Sequence, residues 1–226
     1  MIILAVDTNN TAGSVALLEN WRLLAEINLD SPLTHSERLL PSIDFLLITL
    51  GLKSQDIDGY ALAVGPGSFT GIRIGMGTIK AMASAHNKLI APVSNLEALA
   101  LKLRAPQARL LCALNDAKKN EVYAALYEMK SKRMHPLISQ GVFNPDWFLT
   151  RLPAQRVISF IGSGVESYRH RILDYIKDKA RFSDRSFYIA HEVGLKGYEI
   201  FKAGQGQDSR EIEPLYLRRS QAEEKH

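Results

Sequence analysis

The chain has 226 residues, 46% of them hydrophobic and 23% charged, and a net charge of +4. This is the composition of an ordinary soluble protein with material for one large or two small cores. The single cysteine, Cys112, excludes an internal disulfide, no apolar stretch approaches the ~20 residues that span a bilayer, and the mild positive charge permits contact with nucleic acid without arguing for it.

The N-terminus has no basic start, and Asp7 cuts its apolar run short, so it does not read as a signal peptide. With a lone cysteine, this points to a cytoplasmic protein. Strands are predicted at Ile2–Val6, Gly13–Leu18 and Arg22–Ile27, the last two joined by a turn at Glu19-Asn20. Thr34-His-Ser-Glu37 has the capping-box pattern and opens a helix from His35 to about Leu50. A strand Tyr60–Val64, a Gly-rich loop, a helix Ile72–Asn87 and a strand Leu89–Val93 follow. Ser94-Asn-Leu-Glu97 is a second capping box, for a helix through Leu103, and Pro106 marks a domain boundary. The second half begins with strands Arg109–Leu114 and Val122–Tyr127, joined at Asp116–Asn120. A Pro-broken stretch, a strand Val157–Ile161, a turn at Gly162-Ser-Gly164, helices near Val165–Lys179 and His191–Ala203, and a short run Pro214–Arg218 complete it.

Three antiparallel strands followed by strand–helix units predict a mixed sheet covered by helices. That order resembles the ribonuclease-H-like fold of actin, Hsp70 and the sugar kinases. The expected class is α/β, with two such domains, 1–105 and 106–226, the second degenerate.

Gly65-Pro-Gly-Ser-Phe-Thr-Gly71 sits between a strand and a helix, where backbone N–H groups and the helix dipole favour an anion. It is not a P-loop, because Gly71 is followed by Ile72 rather than by Lys and a hydroxyl residue, and Pro66 removes a donor. A tight strand-to-helix corner explains the same residues. Asp7-Thr8, at the end of the first strand, is open to two readings, a nucleotide-facing acid or a polar hairpin. Asp7, Thr8, Gly65, Gly67, Ser68 and Gly71 are thus candidates for a residual phosphate loop. None of the six histidines pairs as His-x-x-x-His or His-x-x-His, and there is no Cys-x-x-Cys, so no metal site is expected. The basic clusters Lys118-Lys119, Lys130-Ser-Lys-Arg133 and Arg218-Arg219 each read as solvated surface.

The helix from His35 carries a stripe of Leu39, Ile43, Leu46, Leu47 and Leu50 at helical spacing. Leu40, Phe45 and Ile48 lie outside that stripe, so the helix is apolar nearly all round after Asp44. Covering a sheet needs only one stripe, and the surplus suggests a second packing surface. The next helix offers Gly75, Gly77, Ala81, Ala83, Ser84 and Ala85 for close approach.

Ile3-Leu-Ala-Val-Asp-Thr8, His35-Ser-Glu-Arg-Leu-Leu-Pro41, Gly65-Pro-Gly-Ser-Phe-Thr-Gly-Ile-Arg-Ile-Gly75, Asn95-Leu-Glu-Ala-Leu-Ala100, Asp116-Ala-Lys-Lys-Asn-Glu-Val-Tyr123 and Pro214-Leu-Tyr-Leu-Arg218 together resemble the TsaB family of tRNA threonylcarbamoyladenosine biosynthesis proteins. The matches are dense to about Tyr127 and sparse after it. The family more often has Asp-Ala-Arg-Arg-Gly where this chain has Asp116-Ala-Lys-Lys-Asn120. The resemblance implies a non-catalytic relative of TsaD, the subunit that transfers threonylcarbamoyl to the adenosine just 3′ of the tRNA anticodon. It implies pairing with TsaD, a TsaE-like ATPase in the assembly, contact with tRNA through the complex, and a homodimer when the chain is alone. It implies no cofactor beyond a weak or partner-dependent ATP or ADP contact. The interface it places on the two helices falls on His35, Arg38, Leu39, Ile43, Leu46, Leu47, Leu50, Arg73, Met76 and Lys80. Two other readings remain, an ATP-dependent small-molecule kinase of the same fold and, more distantly, a metallopeptidase.

Overall fold

A computed structural model describes residues 1–105, 109–131 and 133–218. The boundary expected at Pro106 lies outside them, as do Lys132 and Arg219 of the basic clusters. The chain divides into two compact units: Met1–Asn95 with Tyr188–Tyr216, and Leu96–Phe187 with residues 217–218. The expected linear division at 105 and 106 differs from this in one respect above all. The last helix, assigned by sequence to the second half, belongs to the first unit.

The first sheet holds β1 (Ile2–Asp7), β2 (Gly13–Glu19), β3 (Arg22–Leu29), β4 (Gly59–Ala63) and β5 (Leu89–Val93), in the order β3-β2-β1-β4-β5. The first three strands are antiparallel, and β1, β4 and β5 run parallel. β4 is buried along its whole length, which is why it reads as a continuous apolar run rather than an alternation. Successive side chains point to opposite faces. Leu4, Val6, Leu17 and Leu62 pack with α1 (His35–Thr49) and α2 (Phe69–Ala85). Leu18, Ala61 and Ala91 meet α6 (Ala190–Lys202), whose Gly194 and Gly197 lie against them with no room for a side chain. A helix from the far end of the sequence therefore covers the second face of the sheet.

α1 starts where the capping box places it. The Glu37 carboxylate accepts from Thr34 N at 2.7 Å and from its hydroxyl at 2.6 Å. α2 starts three residues before its predicted position, with Ser68 as N-cap accepting from Gly71 N at 3.3 Å.

The second unit carries α3 (Asn95–Leu101, its first residue in the other unit), β6 (Leu110–Lys118), β7 (Glu121–Lys130), β8 (Arg133–Phe143), α4 (Pro145–Thr150), β9 (Ile158–Ile161), α5 (Ser163–Ile176) and β10 (Ala180–Phe182). Its sheet order, β10-β9-β6-β7-β8, repeats the first sheet strand for strand: three antiparallel strands, then two parallel to the first of them. The degeneracy read from the sequence lies in the helices, since α4 has 6 residues where α1 has 15. The stretch read as Pro-broken is strand β8, with Pro136 inside it next to two register shifts. The β6–β7 turn runs through three left-handed residues, Lys118, Lys119 and Asn120, the last at φ 57° in the place of the family's glycine.

Candidate functional site

The glycine loop and the end of β1 come together, but the chain itself fills the cradle. Thr8 Oγ1 donates to the Gly71 carbonyl at 2.8 Å, and Ser68 N donates to Asn9 O at 2.7 Å. With its amide oriented to satisfy both neighbours, Asn9 bridges the end of β4 and the loop, its nitrogen 3.1 Å from the acceptor Ala63 O and its oxygen 3.2 Å from the donor Gly65 N. Asp7 turns inward and accepts from Asn9 N at 3.0 Å, and Asp7, Thr8 and Asn9 are all buried. A side chain on Gly67 would collide with Asn9 O, on Gly71 with Thr8 O, and on Gly75 with Thr8 Oγ1. Gly65, at φ 121°, faces Leu215 O, while Leu215 N donates to Val64 O at 2.8 Å. These glycines allow backbone to approach backbone. Three loop donors that could hold an anion, on Gly65, Ser68 and Gly71, go to protein acceptors.

The start of α1 is a second internal clamp. Arg38 is buried and donates to the carbonyls of Leu29 (3.4 Å), Ser31 (3.3 Å) and Thr11. His35 Nε2 lies 2.6 Å from Asn10 O, and its Nδ1 lies 3.2 Å from the Arg38 guanidinium. Burial pushes the His35 pKa below its ordinary value, and the Arg38 charge adds to that. Neutral His35 donates through Nε2 and accepts from Arg38 through Nδ1. Together they fasten the 9–13 loop and the end of β3 to the helix.

The chain's C-terminal segment straps α2. Lys80 Nζ donates to Ile212 O at 2.8 Å, Arg73 Nε donates to the Tyr216 hydroxyl at 3.0 Å, and Tyr216 stacks on Phe69 at 4.5 Å.

These contacts revise the interface expected on the two helices. Leu39, Ile43, Leu46, Leu47 and Met76 are buried in the unit's own core, and half-buried Leu50 packs against it. His35 and Arg38 bind their own chain's carbonyls, and Arg73 and Lys80 hold the strap. The residues left facing outward are Leu40, Phe45 and Ile48, at 53%, 62% and 70% exposure. On α2, Arg73, Gly77, Ala81, Ser84 and Ala85 form an exposed row of mostly small residues, and a side chain built on Gly77 would meet nothing within 4 Å. The signal was in the sequence: Leu40, Phe45 and Ile48 are the apolar residues that the helical stripe did not need.

Among the described residues, no three His, Cys, Asp or Glu side chains gather as a metal site would require. No helix among them is long and apolar enough to cross a membrane.

A family model described as TsaD, tRNA N6-adenosine threonylcarbamoyltransferase, matches residues 31–225. A Bacillus subtilis protein named tRNA threonylcarbamoyladenosine biosynthesis protein TsaB is 30% identical over 228 residues, covering 100% of this chain and 97% of its own. The chain belongs to the TsaB family. A Pseudomonas aeruginosa structure, of a protein with similarity to peptidase YeaZ, superposes at TM-score 0.84 with 30% identity, covering 96% of this chain and 99% of that one. A ROK hexokinase from Thermus thermophilus shares the fold at TM-score 0.55 and 12% identity, covering 90% and 100%. TsaB membership and the two matching sheets agree with the expected ribonuclease-H-like architecture.

Proposed function

We propose that this chain is a non-catalytic partner subunit in tRNA threonylcarbamoyladenosine synthesis, docked on a TsaD-like catalytic chain through the outward faces of α1 and α2. The observation that carries this reading is the exposure of Leu40, Phe45 and Ile48 on a helix whose other face already fills the core. Large side chains with no internal role, beside a row of small residues, suit a helix–helix contact with a second chain. The same face would close a homodimer when TsaD is missing, and a TsaE-like ATPase would join the assembly in the cytoplasm. The chain would need no cofactor of its own, and any ATP or ADP contact would depend on the partner. The occupied loop donors count against an independent kinase, which would have to offer them to phosphate.

Co-expression with the cognate TsaD tests the reading. The wild-type chain should co-purify at micromolar concentration, and Phe45→Glu with Ile48→Glu should abolish this while leaving the monomer folded. Co-purification unaffected by the double substitution would sink the proposed face. Tight ATP binding with hydrolysis by the isolated chain would restore the kinase reading.

A further inference from the structure

Residues 96–187 hold 16 of the chain's 28 Lys and Arg but only 9 of its 24 Asp and Glu, a net +7. The remaining residues hold 12 and 15, a net −3. Strand registers place much of that excess in one row. Leu110 pairs with Ile158 on β9 and with Glu128 on β7, Ala180 pairs with Ile158, and Lys130 pairs with Arg133. One end of all five strands therefore carries a cation: Lys177 and Lys179 before β10, Arg156 before β9, Arg109 before β6, Lys130 ending β7 and Arg133 starting β8. All but half-buried Lys179 are exposed.

Two carboxylates share this edge. Glu128 accepts from Arg156 at 2.6 Å and Lys130 at 2.8 Å, so one anion answers two cations. Asp178 pairs with Lys179 at 2.9 Å. With strands about 4.8 Å apart, five strands make a row about 19 Å across. That length meets several phosphates of a nucleic-acid duplex, which carries a charge roughly every 1.7 Å of axis.

We propose that this strand-end row is a tRNA phosphate-backbone contact made by the chain itself, without a partner subunit. It rests on the tRNA-modification reading above. The contact is sequence-independent, since a row of Lys and Arg along strand ends addresses phosphate rather than base edges. No amphipathic helix with a basic face supplies these charges, which is what a membrane-surface site would use.

The test is fluorescence anisotropy of a labelled tRNA transcript with the full-length chain alone, between about 50 and 200 mM salt. Binding should weaken steeply with salt. The triple variant R109E/R133E/K177E should bind at least ~10-fold more weakly, with the log–log salt slope shallower by about 2–3, as loss of three phosphate contacts requires. R109Q/R133Q/K177Q should lose affinity in the same direction by less, and K118E/K119E, at the opposite end of the sheet, should stay within ~2-fold. Circular dichroism melts establish that each variant is folded. No salt-dependent tRNA binding by the wild type, or folded variants that bind like it, overturns the proposal. So does variant-sensitive binding to phosphatidylserine vesicles in the absence of tRNA binding. TsaD co-purification is run in parallel: TsaD pairing lost with tRNA binding kept removes the partner reading and leaves this one standing.

Discussion

Thr8 and Gly71 lock β1 to α2 twice over: the threonine hydroxyl donates to the glycine carbonyl at 2.8 Å, and the glycine α-carbon lies against the threonine carbonyl with no space for a methyl group. Gly71→Ala must push apart two backbone segments that have nowhere to go. The expected loss is about 3 kcal/mol or more, a Tm drop of roughly 6 °C or more. Gly77→Ala, in open space on the same helix, should instead stabilise by about 0.5–1 kcal/mol. Thermal melts of both variants check the pair, and equal effects would contradict the loop packing.

Phe45 and Leu46 are neighbours with opposite fates. Leu46→Ala empties a core position and should cost about 2–5 kcal/mol. Phe45→Ala should change monomer stability by less than about 0.5 kcal/mol while weakening association with TsaD. Urea melts alongside co-purification separate the two.

Arg38 supplies the donors for three carbonyls. Arg38→Ala leaves them unpaired in a part-buried corner and should destabilise by about 1–3 kcal/mol, measured by urea unfolding. Arg38→Lys should recover less than half of that, because one ammonium cannot span the fork.

His35 gives the corner a pH dependence. Its folded pKa lies below the ordinary 6.5, so the unfolded state binds the proton more readily. Its contribution to stability is complete above pH 6.5 and is lost as the pH falls from 6.5 through the folded value. Urea midpoints of the wild type should decline across that window, and His35→Gln should flatten the decline. A decline of equal size in the variant would assign the effect elsewhere.

Tyr216 holds the strap on α2 by its stack on Phe69 and its bond from Arg73. Tyr216→Ala should cost about 1–2 kcal/mol and speed amide exchange at Leu215, whose N–H is bonded to Val64 O. Unchanged exchange at that amide would mean the strap is held by other contacts.

Local chemistry was legible in the sequence wherever it acts over a few residues. Thr34 and Glu37 located the start of α1 to the residue, and β5 came out at its observed limits. What remained hidden is decided between distant segments. Periodicity separated the stripe of α1 from its surplus, but did not show that the stripe is used up in the unit's own core, against Leu17 and Leu62 of the sheet below. Arg38 and His35, expected at a partner interface, instead bind carbonyls of the 9–13 loop and the end of β3, a pairing set by segments distant in sequence. β8 was obscured by Pro136, because its pairing with β7 tolerates a proline beside a bulge. The cationic row exists only through the registers of five strands, and no local run of the sequence contains it.

The position of α6 sets an order on how the molecule is made. Residues 96–187 form an uninterrupted stretch that can condense as soon as it is synthesised. The first sheet, although its strands emerge earliest, keeps the face of Leu18, Ala61 and Ala91 bare until Gly194 and Gly197 arrive about a hundred residues later. The segment translated first is thus the one finished last. A fragment stopping at residue 105 would be an aggregation-prone sheet with one face bare rather than a domain.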